Sequence, residues 1–408
     1  MKANRLAGIL MTFGLASSTT FSVAAAAYGD TSHPTRFMAV LIAYFVIGAI
    51  GQPRLVLSRE ILLYLSFVGY SLLSIGWAND VNAAIATVPA LVTCLLVLVL
   101  FSAMAAYRDI GVVLGGMLVG FLVAAVRYTL ISGYPFTYPE EFSYNTIAGL
   151  YLFGLFITLV FGTYQRWTIL PLALGTILFI LIGTTTSIKT NLGFALGFIG
   201  AAALYLNFSV KSAVKQAVLL SAIASVAAYG VMSNEALSER LQNGYGRVST
   251  GLAVLTNREG DSGGIGLGTR QGWRNEGLKG WANNPVFGYG VEAFRADFGI
   301  TSHSTPIDLL YNSGAIGCTL FYGLLVSIAA RLLNARNPER RDVRARIAIF
   351  TIAYAFISLS GIMYYDPFLA IFVGVSSSFL TRFERAAINA DDVAESRSDD
   401  LVGYERKV

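Results

Sequence analysis

The chain has 408 residues, of which 55% are hydrophobic and 13% charged, with a mean hydropathy of +0.62 and a formal net charge of +5. Soluble domains carry roughly a quarter charged residues, so this composition, with apolar runs recurring from end to end, excludes a soluble globular protein and a cytosolic enzyme with a single anchor. Cys94 and Cys318 sit inside apolar runs and His33 and His303 lie far apart, which excludes a disulfide scaffold and a structural zinc module.

A bilayer core of ~30 Å needs about 20 apolar residues per helix. Runs near 6–27, 37–51, 60–76, 83–106, 110–132, 146–163, 167–183, 190–208, 213–232, 307–330, 345–363 and 367–381 predict an all-α polytopic membrane protein with about twelve spans. The first run follows Lys2 and Arg5 and ends in four alanines, so it reads as a retained span or a cleaved signal peptide; the many spans that follow favour retention. Runs 37–51 and 367–381 are short of ~17 residues and need neighbouring turns or a thinned bilayer. With the amino terminus inside, 19 of the 29 basic residues fall on cytoplasmic ends and loops, as the positive-inside rule requires. The pI of about 9.1 is thereby explained as orienting charge, and nucleic acid is excluded as a partner.

The chain divides into spans one to nine (1–232), a 72-residue external segment (233–304), spans ten to twelve (305–381) and a polar cytoplasmic tail (382–408) to which no function is assigned. An external connection of that length is structured or functional. Stretches 235–242 and 271–282 have enough helix formers for short helices, while Gly260, Gly263, Gly264, Gly266 and Gly268 break structure between them. The stretch 273–281, aromatic at both ends, suits either a helix at the membrane interface or an ordinary solvated one. Glycines 263–268 fit neither the P-loop nor the dinucleotide spacing, so a nucleotide site is rejected.

His303 stands in Thr-Ser-His-Ser-Thr just before the tenth span, where a group able to exchange a proton near neutral pH could meet a lipid head group; a capping or hydrogen-bonding histidine is the plainer alternative. Arg127, Lys189, Arg270 and Arg274 fall on the same external side. The orientation rule disfavours cations there, so they require acidic side chains or an anionic ligand. Loop arginines such as Arg240, Arg247, Arg258 and Arg295 have acidic neighbours for surface pairs. Lys189, after Thr-Thr-Thr-Ser-Ile, suits a polar pocket for phosphate oxygens or simply snorkels to the interface.

Several stretches occur in a telling order: Ser-Ile-Gly-Trp-Ala-Asn-Asp at 74–80, Thr-Ser-Ile-Lys ending at Lys189, Gly-Thr-Arg ending at Arg270 with Trp273 beyond it, Asn-Pro-Val-Phe-Gly-Tyr-Gly at 284–290, Ser-His-Ser around His303 and Asn-Ser-Gly-Ala-Ile-Gly at 312–317. Together they resemble the O-antigen ligase and polymerase superfamily of bacterial envelope glycosyltransferases, most closely an O-antigen ligase. The resemblance covers the topology of the whole chain, and its most specific motifs lie in 270–317. It departs from the family in Lys189, where arginine is usual, and in Ser304, where asparagine often follows the histidine.

The resemblance implies a GT-C-like fold and inverting, metal-independent transfer, without a cofactor, of a glycan from undecaprenyl diphosphate to a sugar hydroxyl of lipid A-core. That reaction belongs to lipopolysaccharide assembly on the periplasmic face of the bacterial inner membrane. In a polymerase the acceptor would instead be a second lipid-linked repeat. Such chemistry needs cations to neutralise the leaving diphosphate and a base for the attacking hydroxyl. Arg270 and Lys189, with Arg127 or Arg274, suit the first role and His303 the second. Trp273, Trp281 and Tyr289, with Tyr134 and Tyr138, are candidates for glycan contact or for interfacial anchoring. A secondary transporter is the alternative of another class, disfavoured because the spans carry few ionisable residues and no half-to-half repeat.

Overall fold

The computed structural model describes residues 2–27, 58–107, 109–132, 144–165, 178, 239, 267–334, 341–359 and 361–385. The described residues are helical, in the order α1 (Lys2–Ala27), α2 (Arg59–Ser74, continued by a 3-10 turn Ile75–Trp77), α3 (Val81–Tyr107), α4 (Ile110–Ser132), α5 (Tyr144–Gln165), α6 (Leu267–Asn283), α7 (Ala293–Phe298), α8 (Thr305–Asn334), α9 (Arg341–Ser358) and α10 (367–385). Five stretches are long and apolar enough to cross a membrane: Gly8–Ala25, Arg59–Trp77, Val81–Ala105, Ile110–Arg127 and Thr305–Asn334. The expected spans at 37–51, 167–183, 190–208 and 213–232, and the loop helix at 235–242, lie outside the described residues, so the count of twelve does too.

Helix starts follow local chemistry. Ser58 caps α2 by accepting from Ile61 N at 3.3 Å, and the Asp80 carboxylate caps α3 by accepting from Asn82 N and Ala83 N at 2.9 and 3.0 Å. Within lipid, helix association relies on close packing rather than on expulsion of water. In α4, Gly116 and Gly120 are one turn apart, and a Cβ on either would strike the α1 backbone at Phe13 or Ser17. This small-xxx-small face lets α1 and α4 form the most extensive helix pair among the described elements.

Helices α4, α5, α9, α8, α2 and α3 pack in sequence into a closed ring. The last described helix, α10, threads its centre: residues 368–380 are all buried. Phe153 meets Phe368 at 5.0 Å between centroids, Phe156 meets Phe372 at 5.1 Å, and Tyr354 meets Phe372 at 5.0 Å. Protein on all sides explains how α10 tolerates three consecutive serines. Ser377 Oγ donates to Glu60 at 2.7 Å, and Ser378 Oγ donates to Ser102 O at 2.6 Å.

Polar contacts gather at the two ends of the bundle. At one end Glu60, fully buried, accepts from Ser327, Ser377 and Arg331, and Arg331 forks onto Glu384 at 2.7 and 2.9 Å. The other end carries α6, α7 and the His303 loop. Two expectations change there. The helix expected to end near 363 stops at Ser358, and the 359–366 turn that follows leads into α10. The loop helix starts at Leu267, so Gly268, expected to break structure, lies inside it.

Candidate functional site

Helix α8 is broken at Gly314 (φ 61°, ψ −162°). A kink frees peptide groups that must find other partners, and the 284–290 loop supplies them. Tyr289 N and Gly290 N donate to Tyr311 O and Asn312 O at 3.0 and 2.8 Å, while Ala315 N and Ile316 N donate to Pro285 O and Val286 O at 2.8 and 3.4 Å. The two backbones touch. A Cβ on Gly314 would collide with the Val286 carbonyl, and one on Gly288 (φ 68°) would stand 2.5 Å from Gly314 N, so both positions need glycine for space as well as for φ. Asn284 Nδ2 braces the loop by donating to Gly288 O at 2.6 Å.

The 74–80 stretch joins the same unit. Ser74 Oγ accepts from Val291 N at 3.1 Å, Asn79 Nδ2 donates to both Asp297 oxygens at 3.0 and 2.9 Å, and Trp77 meets the edge of Phe287 at 6.5 Å. Tyr311 OH donates to Asp297 at 2.6 Å, and Asn312 Oδ1 accepts from Phe294 N at 2.7 Å. Three sequence stretches far apart in the chain thus form one joint beside the His303 loop.

His303 has a left-handed backbone (φ 54°) between two buried serines, and its side chain is partly exposed. Thr305, at the start of α8, ties the loop to the 359–366 turn. Its N and Oγ1 donate to Gly361 O, and Met363 N donates to its Oγ1 at 2.9 Å. Arg274 reaches the same turn from α6, its Nη2 donating to Leu359 O at 3.0 Å. The turn therefore anchors both the loop that carries the candidate base and one candidate cation. Arg270 stands four residues before Arg274, the spacing that aligns two Cα positions on one helix face; its backbone is described and its side chain is not.

Beneath this surface lie carboxyl groups that the sequence argument passed over. Asp308 (3% exposed) accepts from Tyr364 OH at 2.8 Å, Asn312 Nδ2 at 2.9 Å and Ser302 N at 3.3 Å. Glu292 (φ 62°) is also buried, and burial, reinforced by the carboxyl group of Asp308, raises its pKa. Burial and the same two carboxyl groups push the Tyr364 and Tyr365 phenols upward, which keeps both hydroxyls protonated as donors. Burial likewise pushes the Asp366 carboxyl up to about 6. An acid within the first turn of an apolar span was the available signal for Asp308.

The other candidates are placed as follows. Trp273 packs edge-on against Phe298 at 5.9 Å. Trp281 Nε1 donates to Pro285 O at 3.0 Å, and Tyr289 OH donates to Gly280 O at 3.2 Å while its ring lies 4.9 Å from that of Tyr311. Trp273 and Tyr289 thus help hold α6, α7 and α8 together, and Trp281 pins the start of the 284–290 loop to α6. Arg127 sits on the α1–α4 pair, its guanidinium 5.8 Å from the Phe21 ring centroid. Lys189, Tyr134 and Tyr138 lie outside the described residues. Among the described residues no group of three or more His, Cys, Asp or Glu side chains could hold a metal ion.

A partly exposed imidazole on a loop tied to the same turn as a half-buried guanidinium suits a site where one group takes a proton from a hydroxyl and a cation neutralises an anionic leaving group. No protein-family model matches the chain, and no curated protein matches it.

Proposed function

We propose that the chain is a membrane-embedded glycosyltransferase that moves a glycan from undecaprenyl diphosphate to a sugar hydroxyl of lipid A-core, with inversion and without a metal, on the periplasmic face of the bacterial inner membrane. The observation that supports this reading best is the shared anchoring of Arg274 and the His303 loop on the 359–366 turn, at the end of the bundle opposite Glu60 and Arg331. In this reading Arg270, Arg274 and Lys189 hold the diphosphate, and His303 accepts the proton of the attacking hydroxyl. The glycosyl carbon–oxygen bond to the diphosphate breaks as the bond to the acceptor oxygen forms, and the carrier diphosphate leaves with the electron pair.

Purified protein in detergent, given a lipid-linked glycan with lipid A-core, is expected to form the glycan–core product and to keep its activity in EDTA. Chain extension from lipid-linked glycan alone, with no transfer to core, would establish a polymerase instead. Loss of activity in EDTA with recovery on adding a divalent ion would refute the metal-free part.

The break in α8 favours one other reading, because discontinuous spans are common at the substrate sites of secondary transporters. Against it, the peptide groups freed at Gly314 are taken up by the 284–290 loop rather than left for a substrate. Solute uptake into proteoliposomes that depends on an imposed gradient, with no glycan transfer in detergent, would support the transporter.

A further inference from the structure

A buried carboxylate in an apolar helix needs donors to hold it, and the partners of Asp308 divide into two groups. Tyr364 OH and Asn312 Nδ2, on its Oδ2, hold it between α8 and the 359–366 turn. Its Oδ1 reaches the other way and accepts from Ser302 N at 3.3 Å. Ser302 Oγ then donates to Ser304 O at 2.8 Å and accepts from Ser304 N at 3.2 Å, and Asp308 N donates back to Ser304 O at 2.9 Å. These bonds close a small turn with Ser302 and Ser304 buried inside and His303 at its outer edge, in a left-handed conformation that few residues with a Cβ adopt.

We propose that Asp308 is the positioning residue of His303: its carboxylate holds the 302–304 turn and, through it, the orientation of the imidazole. The proposal rests on the reading of His303 as the base. Asp308 offers two acceptor oxygens to three donors, a set that no neutral side chain of the same shape reproduces. Asparagine keeps one oxygen and turns an NH2 toward at least one donor, so Asp308→Asn loosens the turn while filling the same space.

The test is a double-mutant cycle on the full chain in detergent, with lipid-linked glycan as donor and lipid A-core as acceptor. Asp308→Asn is expected to lower kcat by about 10- to 100-fold with KM for the donor changed by less than about twofold. In a His303→Asn background the same change should lower the remaining rate by less than about twofold, because there is no imidazole left to misplace. An equal loss in both backgrounds would overturn the proposal. A second readout needs no activity. His33→Gln leaves His303 as the one histidine of the chain, and the ring resonances of isotope-labelled His303 should move on Asp308→Asn; unchanged resonances would overturn the proposal as well. If Asp308→Asn does not fold, Tyr364→Phe, which removes one of the donors that hold the Asp308 carboxylate in place, takes its place in both measurements. Should the wild type transfer no glycan, the glycosyltransferase reading fails, while the resonances still decide whether Asp308 sets His303.

Discussion

A histidine that caps a helix and a histidine that takes a proton part company on substitution by asparagine. At φ 54° the backbone of residue 303 suits asparagine better than most residues, since asparagine visits the left-handed region readily. His303→Asn should therefore melt close to wild type, whereas His303→Ala should lose about 1 kcal/mol. For a base, both variants should lose about 100-fold or more in turnover while binding of the carrier lipid persists. Turnover near wild type in the His303→Asn protein, with melting temperature and carrier binding measured alongside, would assign the residue to structure alone. Single side chains are less legible in the sequence than helices are. Cations were sought because the orientation rule makes external ones conspicuous, and that logic found Arg274, which reaches the same turn as the His303 loop. Asp308 was passed over because its donors come from residues 302, 312 and 364, and the last of these is far away in the chain.

Among the described residues, helix positions were legible to within about five residues wherever an apolar run was long, because one period and one length criterion decide them. The break in α8 was not, since Gly314 lies in a run that reads as continuous. What unwinds it is a loop more than twenty residues upstream. The motifs at 74–80, 284–290 and 312–317 read as marks of chemistry, yet their described contacts are largely joints between α2, the loop and α8. Gly314→Ala should accordingly destabilise the protein by about 3 kcal/mol or more, because a methyl group would collide with the Val286 carbonyl. Gly272→Ala, in α6 with nothing within 4 Å, should instead stabilise by up to about 1 kcal/mol. Thermal melts of the two variants in detergent make the comparison.

The start of α10 gives a prediction in pH. Asp366 caps the helix by accepting from Phe368 N at 2.8 Å, and burial raises its carboxyl from 3.8 to about 6. The folded state therefore holds this proton more tightly than the unfolded chain does. The stability this contributes is present in full below about pH 4 and is lost as pH rises through about 6. Asp366→Asn keeps a cap without the charge, so it should melt above wild type at pH 7.5, by roughly 3 kcal/mol, and level with it near pH 4. A variant no more stable than wild type at pH 7.5 would contradict the shift.

Across the whole molecule, the apolar runs implied a bundle but not which helix lies inside it. Run 367–381 was conspicuous as too short for a bilayer, and its place at the centre of the ring removes the difficulty, because a helix surrounded by protein need not match the lipid. Its far end is held by charge. Arg331, on α8, lies between Glu60 of α2 and Glu384 of α10, at 3.2 and 2.7 Å. Arg331→Met leaves Glu60 buried without its cation and should cost about 3–5 kcal/mol, whereas pairing it with Glu60→Gln should recover most of the loss. Melting temperatures of the two single variants and the double variant decide whether the pair acts as a unit.

The docking of residues 284–290 into α8 also bears on the order of assembly. Lipid offers no hydrogen bonds, so a newly inserted α8 has every reason to remain one straight helix until the loop arrives. The break at Gly314 is then a late event, made when Pro285 O, Val286 O, Tyr289 N and Gly290 N replace the bonds of the straight helix. Formation of the candidate site would wait on that exchange, so a protein with all its helices inserted would still be immature until one extramembrane loop had found its partner.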